Sequence, residues 1–366
     1  MRGSLKQYFL SACMAAAAFA GPAWAEEKVV NVYNWEEYID DTTLADFEKE
    51  TGIKVVYSTF DSNDTLEAKI LAGKSGYDVV FPSGAFLQRQ IAAGAYQKLD
   101  KSKLPNIANM DPAIMEKLGV FDPGNEYAVD YMWGVTGVAY NVKKIKEIMP
   151  DAPVDSWKLV FDPKVVAKFK GCGVTLLNAP DEVIPAVLKY IGEDPNSKDP
   201  AVLKKALPVL QAIRPFIQRF ESSSMIDKMA TGDICLGIMW NGDLFQAKAA
   251  ADAAKNGVEL AFYVPKEGAQ LWFDSMVILA DAPHPDAAHA FINYMMKPEV
   301  IARNSAATQY ANGNAAAKPL MDAAVVSNPG IYPTADTMKI LYLITAYSQK
   351  EQRILNKVWE TIKLGE

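Results

Sequence analysis

The fold class is decided by residues 29–83, which read VVNVYNWEEYIDDTTLADFEKETGIKVVYSTFDSNDTLEAKILAGKSGYDVVFPS. Apolar runs rich in β-branched residues predict strands at 29–35, 53–59 and 77–81. The two segments between them carry apolar residues at helical spacing. Strands that alternate with helices form a parallel sheet covered by helices on both faces, so the sequence predicts an α/β fold.

Both predicted helices in this region have boundary signals. Thr42 or Thr43 can cap the first helix, and Gly52 ends it. Asp64, followed by Glu67 three residues later, predicts a capping box at the start of the second helix. These signals locate the helices independently of the strand pattern.

The rest of the chain carries further strand and helix patterns. Strands are predicted at 131–141, 232–240, 259–264 and 272–279, and helices at 186–192, 201–219 and 245–255. Asn241-Gly242-Asp243 predicts a polar turn after a buried strand. The length of 366 residues favours two domains. Because the sequence has no Pro- or Ser-rich linker, we expect the chain to cross between the domains more than once.

The composition excludes several classes of protein. With 50% hydrophobic residues the chain is globular, and its net charge of −7 disfavours a nucleic-acid or anionic-membrane surface. The sequence has no phosphate-loop, dinucleotide-binding or nucleophile-elbow motif. Its two histidines, His284 and His289, are predicted to lie on the surface, so neither a metal site nor a histidine-dependent catalytic triad is expected.

Residues 1–25 have the features of a secretory signal peptide. A basic start precedes an apolar run at 8–21 and the motif Ala23-Trp24-Ala25, so the sequence predicts export and cleavage after Ala25. The alternative is a lipoprotein acylation box that ends at Cys13, but the apolar run before this cysteine is short for that purpose. No later apolar run has the length of a transmembrane span.

Cleavage leaves two cysteines, Cys172 and Cys235. An even pair of cysteines in an exported chain predicts one disulfide. The alternative is a pair of buried free thiols. Either state is compatible with a folded exported protein.

Aromatic and acidic side chains recur together at predicted strand ends and turns. They occur as Trp35-Glu36-Glu37-Tyr38, Trp240 with Asp243, and Trp272-Phe273-Asp274, and a further acidic pair is Asp181-Glu182. Carboxylates and aromatic faces together suit an organic ammonium group. Paired carboxylates could also act as the acid and base of a glycosidase. The structural alternative is that the tryptophans are core residues and the acids are solvated turn residues.

Longer motifs carry a resemblance to a known family. They are YNWEEYI (33–39), TGI (51–53), FDSNDTLE (60–67), GYDVV (76–80), PS (82–83), LDKSKLPN (99–106), GDIC (232–235) and NPGIYP (328–333). In these motifs, across essentially all of the chain after the signal peptide, the sequence resembles the periplasmic polyamine-binding proteins of bacterial ABC importers.

The resemblance implies a two-lobed, type II periplasmic binding fold with hinge crossover strands. Residues 26–135 and about 257–310 would form lobe 1, and residues 136–256 and about 311–366 would form lobe 2. The protein would be a monomeric periplasmic receptor that captures putrescine or spermidine and delivers it to an inner-membrane ABC permease. It would need no cofactor or metal, catalyse no reaction and bind no nucleic acid.

The resemblance also assigns roles to individual residues. Trp35, Trp240 and Trp272 would form an aromatic box, with Asp243 and Asp274 holding one ammonium and Glu182 serving the other end, directly or through water. The remaining polar lining would consist of Glu36, Glu37, Tyr38, Ser83, Ser222 and Tyr310. Cys172 and Cys235 match the disulfide pair of the family.

Two departures from the family pattern leave the choice of polyamine open. Glu36 stands where a small polar residue is common, and Trp272 stands where Phe is common. The added charge and the broader ring favour spermidine, whereas the volume of the indole favours putrescine, and the charge argument tips the prediction slightly towards spermidine.

Other functions remain as alternatives at this point. The same fold could bind cadaverine, agmatine, a cationic amino acid or an opine. A ligand carboxylate usually requires an Arg in the cleft, and the quoted motifs contain none, which favours amines without a carboxylate. The alternative from a different class is a periplasmic hydrolase with two catalytic carboxylates.

Overall fold

Ten strands of the computed structural model form one mixed sheet within residues 28–365, the part of the chain that the structure describes. They are β1 (Val29–Trp35), β2 (Lys54–Phe60), β3 (Val79–Val80), β4 (Tyr96–Gln97), β5 (Ala128–Asn141), β6 (Val174–Leu176), β7 (Arg219–Phe220), β8 (Leu236–Trp240), β9 (Leu260–Tyr263) and β10 (Gln270–Leu279). The predicted signal peptide and its cleavage site lie outside the described residues.

Seventeen α-helices in residues 28–365 pack around this sheet. They are α1 (Thr43–Thr51), α2 (Asn63–Leu71), α3 (Gly84–Ala92), α4 (Pro112–Leu118), α5 (Val142–Ile148), α6 (Lys158–Phe161), α7 (Pro163–Val166), α8 (Pro180–Tyr190), α9 (Pro200–Leu203), α10 (Ala206–Ile213), α11 (Met225–Thr231), α12 (Asn241–Ala254), α13 (Pro285–Met295), α14 (Pro298–Thr308), α15 (Ala323–Val326), α16 (Ala335–Ile340) and α17 (Gln349–Leu364). None of these helices combines the length and apolar character that a membrane crossing requires.

Two long strands join the halves of the sheet. The strand order is β2-β1-β3-β10-β5-β8-β6-β7, with β4 on β10 and β9 on β5. β1 pairs in parallel with β2 and β3, and β6 pairs in parallel with β7 and β8. β5 and β10 run antiparallel to each other between these two parallel groups. The α/β class is therefore confirmed, and the lobe boundaries given above stay a prediction.

Apolar side chains cover both faces of the first parallel group. Val30 and Val32 of β1 are buried in one cluster with Phe291 of α13. Tyr33 belongs to a second cluster, with Leu66 of α2 among its members. Because successive side chains of a strand point to opposite faces, β1 is covered by helices on both sides, as a parallel sheet requires.

The boundary signals of the first two helices were partly right. α1 follows Thr42 and ends at Gly52, whose φ of 68° is the left-handed conformation that glycine favours. The capping box predicted for α2 is wrong. Ser62 is the N-cap, and its side chain accepts a hydrogen bond from the Thr65 backbone N–H. Asp64 lies in the first turn of the helix, where its carboxylate is close to the positive end of the helix dipole.

Asn241-Gly242-Asp243 is the first turn of α12, so the polar turn predicted there is wrong. Tertiary contacts override the turn propensity of these residues. The Asn241 side chain accepts from the Val135 N–H and donates to the Gly330 carbonyl. The ring of Tyr310 covers Gly242 so closely that a Cβ there would clash with it.

The prediction of two surface histidines is wrong for His289, which is buried in α13. Its Nε2 accepts from the Asp100 N–H at 2.9 Å, and its Nδ1 lies 2.6 Å from the Pro285 carbonyl oxygen. His284 is partly exposed, and its Nδ1 lies 3.0 Å from an Asp78 carboxylate oxygen. Both histidines therefore have structural partners.

A disulfide joins Cys172 to Cys235, which confirms the predicted pairing. The Cα atoms are 5.5 Å apart, and the sequence separation is 63 residues. Cys235 directly precedes β8, whose last residue is Trp240. The bond therefore fixes the start of a strand that leads into the cleft described below.

Replacing both cysteines by serine is expected to lower the free energy of unfolding by ~2–4 kcal/mol, because the unfolded chain regains the freedom of a long loop. Urea unfolding of the Cys172→Ser, Cys235→Ser variant measures the loss against the oxidised wild type. Intact mass under non-reducing conditions should also be two hydrogens below that of the reduced chain. Equal midpoints, or two thiols that alkylate after denaturation without reductant, would contradict the prediction.

Candidate functional site

A cleft with about 1050 Å³ of empty space, part of which is open to solvent, lies where the ends of β1 and β8 meet the middle of β10. All the side chains predicted to form the site line it: Trp35, Glu36, Glu37, Tyr38, Ser83, Glu182, Ser222, Trp240, Asp243, Trp272, Asp274 and Tyr310. In open α/β sheets such clefts form beyond the carboxyl ends of strands. The structure thus brings the predicted residues together, and their contact with a ligand is a proposal below.

The lining of the cleft is acidic and aromatic. It includes the acids Glu36, Glu37, Asp61, Asp181, Glu182, Asp243 and Asp274 and the aromatic residues Trp35, Tyr38, Phe60, Phe86, Phe121, Trp240, Trp272 and Tyr310. Among the described residues that line it, none is Lys, Arg or His. Carboxylates inside low-dielectric walls concentrate a negative potential, so the cleft favours a cation and disfavours an anion.

Asp274 is held by two hydroxyl groups. Ser83 Oγ donates to its Oδ1 at 2.5 Å, and Tyr38 Oη donates to its Oδ2 at 2.9 Å. Asn63 in turn donates to Ser83 Oγ. The pairing register of β10 with β5 shifts directly after Asp274, as in a β-bulge, which redirects side chains at such positions. Burial raises the pKa of Asp274 to about 7, although both hydrogen bonds oppose the shift.

Asp243 is the second acid at this end of the cleft. It lies in the first turn of α12, and Tyr310 Oη donates to its Oδ1 at 2.5 Å. Burial raises the pKa of Asp243 to about 7, and the nearby Glu37 adds to the rise. Two carboxyl groups with raised pKa values and hydroxyl donors are therefore available to one positive group.

Glu182 forms a separate acidic position in the first turn of α8. Trp240 Nε1 donates to both of its carboxylate oxygens, at 2.9 and 3.0 Å, and Thr136 Oγ1 also donates to it. Burial raises the pKa of Glu182, and the charge of its neighbour Asp181 raises it further. A cationic group would relieve the cost of keeping this pair charged.

The aromatic walls are fixed by their own contacts. Trp35 Nε1 donates to the Phe81 carbonyl at 2.9 Å, and its ring lies 6.3 Å from that of Trp240, edge to face. Trp272 packs edge to face on Tyr310, with 5.3 Å between ring centroids. Its indole also covers Gly134, where a Cβ atom would collide with the ring. These walls can sandwich methylene groups and offer π faces to a cation.

The rim differs from the interior. Glu36 and Glu37 are exposed, and Glu37 has a φ of 52° in the turn that follows β1. Ser222 is partly exposed on the loop before α11. The carboxylates of the rim therefore remain solvated, unlike those of Asp243 and Asp274.

Several lining residues were not among the predicted site residues. They are Phe60, Asp61, Asn63, Gly84, Ala85, Phe86, Phe121, Asp181, Ser223, Ile226, Gln270, Leu271 and Ile344. Asp181 was recognised in the sequence as half of the acidic pair Asp181-Glu182 but was given no role in the site. Gln270 could have been found two residues before Trp272 on one strand face. Phe121 carries no such signal, because it lies far in sequence from every quoted motif.

Comparison with known proteins identifies the family to which the chain belongs. A family model described as bacterial extracellular solute-binding protein matches residues 42–334. The putrescine-binding periplasmic protein SpuD of Pseudomonas aeruginosa (strain UCBPP-PA14) is 50% identical over 358 residues, which are 97% of this chain and 98% of that protein. The putrescine-binding periplasmic protein PotF of Escherichia coli (strain K12) is 46% identical over 367 residues, 99% of each chain.

A solved structure extends the comparison to the fold. The spermidine/putrescine ABC transporter substrate-binding protein PotD of Streptococcus pneumoniae superposes with a TM-score of 0.75 at 31% identity. The match covers 92% of this chain and 99% of that one. The periplasmic binding fold predicted from the sequence is therefore confirmed.

Proposed function

Because the chain belongs to the bacterial extracellular solute-binding protein family, we propose that it is a periplasmic receptor for a polyamine, with putrescine as its main ligand. The receptor delivers the polyamine to an inner-membrane ABC import permease. It acts as a monomer after its signal peptide is cleaved behind Ala25. The names of the three relatives, which describe ligand binding, support a receptor rather than the two-carboxylate hydrolase.

The observation that carries the proposal is the acidic, aromatic cleft whose described lining includes no basic side chain. Aliphatic amines have pKa values near that of lysine, ~10.4, so a polyamine is cationic throughout the neutral range. A cationic amino acid would bring a carboxylate close to these acids without an arginine to pair it. Putrescine is preferred to spermidine because SpuD and PotF, at 50% and 46% identity, are both named for putrescine.

The proposed roles follow the geometry of the cleft. Asp243 and Asp274 hold one ammonium of putrescine, and Glu182 serves the other end through a bridging water. Trp35, Trp240 and Trp272 enclose the methylene chain. The polar lining is completed by Glu36, Glu37, Tyr38, Ser83, Ser222 and Tyr310. The lobes, 26–135 with about 257–310 and 136–256 with about 311–366, close on the ligand by bending where the chain crosses between them, as it does within β5.

Calorimetric titration against putrescine, cadaverine, agmatine, spermidine and spermine tests the proposal. Ornithine serves as the matched control, since it adds a carboxylate to the putrescine skeleton. We expect putrescine to bind most tightly and ornithine to give no measurable heat. Failure of every amine to bind, or tight binding of ornithine, would contradict the proposed function.

Trp240→Leu is expected to weaken putrescine binding by about tenfold or more, because it removes a π face and the indole donor to Glu182. Titration gives the affinity, and thermal melting gives the stability. Trp157→Leu is the control, since Trp157 is fully buried and lies outside the cleft. This substitution should lower the stability of the protein more than its affinity for putrescine. The prediction fails if Trp240→Leu lowers the melting temperature and leaves the affinity of the folded protein unchanged.

A further inference from the structure

The strand register places one row of side chains across the cleft beside Glu182. Trp240 of β8 pairs with Thr136 of β5, and Thr136 pairs with Gln270 of β10. Directly paired residues carry their side chains on the same face, with Cβ atoms ~4.5–5.5 Å apart. Trp240 and Thr136 both donate to the Glu182 carboxylate. Gln270 is therefore the next side chain along the row that holds Glu182.

Gln270 has hydrogen-bonding capacity that the described residues leave unused. It lines the cleft, is only 9% exposed, and its Oε1 has no hydrogen-bond partner within residues 28–365. The backbone of Tyr342 forms an isolated β-bridge with Gln270. The hydroxyl group of Tyr342 also has no hydrogen-bond partner within residues 28–365. A buried acceptor without a donor is costly, so this position suits a ligand group rich in N–H donors.

The distance between Gln270 and Asp274 along β10 determines how long a ligand must be to contact both residues. Both residues precede the register shift of β10 and point to the same face, four residues apart. At a strand rise of ~3.3 Å per residue, their Cα atoms are ~13 Å apart. An extended chain gains ~1.2 Å per bond, so the five bonds between the putrescine nitrogens span ~6 Å and the nine bonds between the terminal nitrogens of spermidine span ~11 Å.

We propose that Gln270 is a length-selecting residue, whose carbonyl oxygen accepts a hydrogen bond from the far ammonium of a triamine that Asp243 and Asp274 hold at the near end. Glu182 neutralises the charge of that ammonium. A diamine held by the same aspartates ends short of the amide. The proposal rests on the proposed function and assigns spermidine recognition to the interior of the cleft, whereas the exposed Glu36 contributes little to it.

The test compares putrescine and spermidine on one variant. Gln270→Met keeps the length and volume of the side chain and removes the amide. Calorimetry at pH 8 should show spermidine binding weakened by about 10- to 100-fold and putrescine binding changed by less than about threefold. Gln349→Met, on the exposed start of α17, is the matched control and should change neither affinity.

Each outcome separates this inference from the function on which it rests. A wild-type protein that binds no polyamine contradicts the proposed function itself. If the wild-type protein binds both amines, and Gln270→Met weakens the binding of neither or of both equally, the proposed role of Gln270 is overturned and the proposed function is not. If the methionine variant does not fold, Gln270→Glu carries the test. Its added charge should tighten spermidine relative to putrescine, and an unchanged ratio overturns the inference.

Discussion

Asp274→Asn is expected to weaken putrescine binding by about 100-fold or more and to leave the empty protein folded. Removing one partner of a desolvated ion pair costs ~3–5 kcal/mol, which corresponds to a loss of roughly 10²- to 4 × 10³-fold in affinity. The amide keeps the shape of the carboxylate and can still accept one of the hydrogen bonds from Ser83 and Tyr38. Because burial raises the pKa of Asp274, the neutral amide should also remove a destabilising charge from the empty cleft at pH 8.

Calorimetry at pH 8 and thermal melting of the empty protein measure the two effects. Asp243→Asn should behave in the same way, since its carboxylate also lies in the cleft with a raised pKa. Asp336→Asn is the control for net charge, because Asp336 is 91% exposed and lies outside the cleft. If both cleft variants bind putrescine within threefold of wild type, the assignment of the ammonium site is wrong.

Local sequence signals predicted the elements whose causes are local. The bounds of β1 agree with the prediction, because an apolar run is followed directly by the polar Glu36-Glu37. Gly52 ends α1 because its left-handed backbone is a property of the residue itself. The cap of α2 was missed since Ser62 and Asp64 are both good capping residues, and only the path of the chain decides between them.

The site depends on contacts that no local pattern contains. Asp274 is bonded to Ser83 and Tyr38, which lie 191 and 236 residues away in sequence. Asp243 accepts a hydrogen bond from Tyr310, 67 residues away in sequence. The ring of Tyr310 also packs on Gly242, and this contact favours a helix where the local sequence predicts a turn. Residue types and strand ends indicated an ammonium site, whereas the assignment of Tyr38, Ser83 and Tyr310 came from the family resemblance.

Gln270 shows the limit of strand periodicity. The period of two places Gln270, Trp272 and Asp274 on one face of a strand. Which face meets the cleft depends on the pairing of β10 with β5 and on the register shift after Asp274. A glutamine carries no charge to mark it as a ligand residue, so its unpartnered oxygen becomes visible only when its neighbours are in place.

Lowering the pH from 8 to 5.5 is expected to weaken putrescine binding by about 30-fold or more. Burial raises the pKa of both Asp243 and Asp274 to about 7, so protons compete with the ligand ammonium below that pH. For one group with a pKa of 7, the protonated form at pH 5.5 exceeds the ionised form by ~30-fold, and the second group adds to the loss. Asp181 and Glu182, whose pKa values are also raised by burial, act in the same direction.

As the pH falls, the stability of the empty protein changes in the opposite direction to its affinity for putrescine. A carboxyl group whose pKa is higher in the folded than in the unfolded chain binds more protons when folded, between about pH 4 and 7. These groups therefore stabilise the empty protein as the pH falls through 7, while they lower its affinity for a cation. The increase in melting temperature caused by saturating putrescine should be larger at pH 8 than at pH 5.5.

Calorimetry in two buffers with different ionisation enthalpies distinguishes this mechanism from a general loss of folding. Near pH 6.5, putrescine binding should release protons, because the bound ammonium favours the ionised carboxylates and the amine itself stays fully charged. Asp243→Asn should release fewer protons and show a shallower pH dependence, since only Asp274 then titrates at that end of the cleft. An affinity that stays constant from pH 8 to 5.5, with no proton release, would contradict this mechanism. It would mean that Asp243 and Asp274 are both already ionised in the empty cleft, so that protons do not compete with the ammonium group of the ligand.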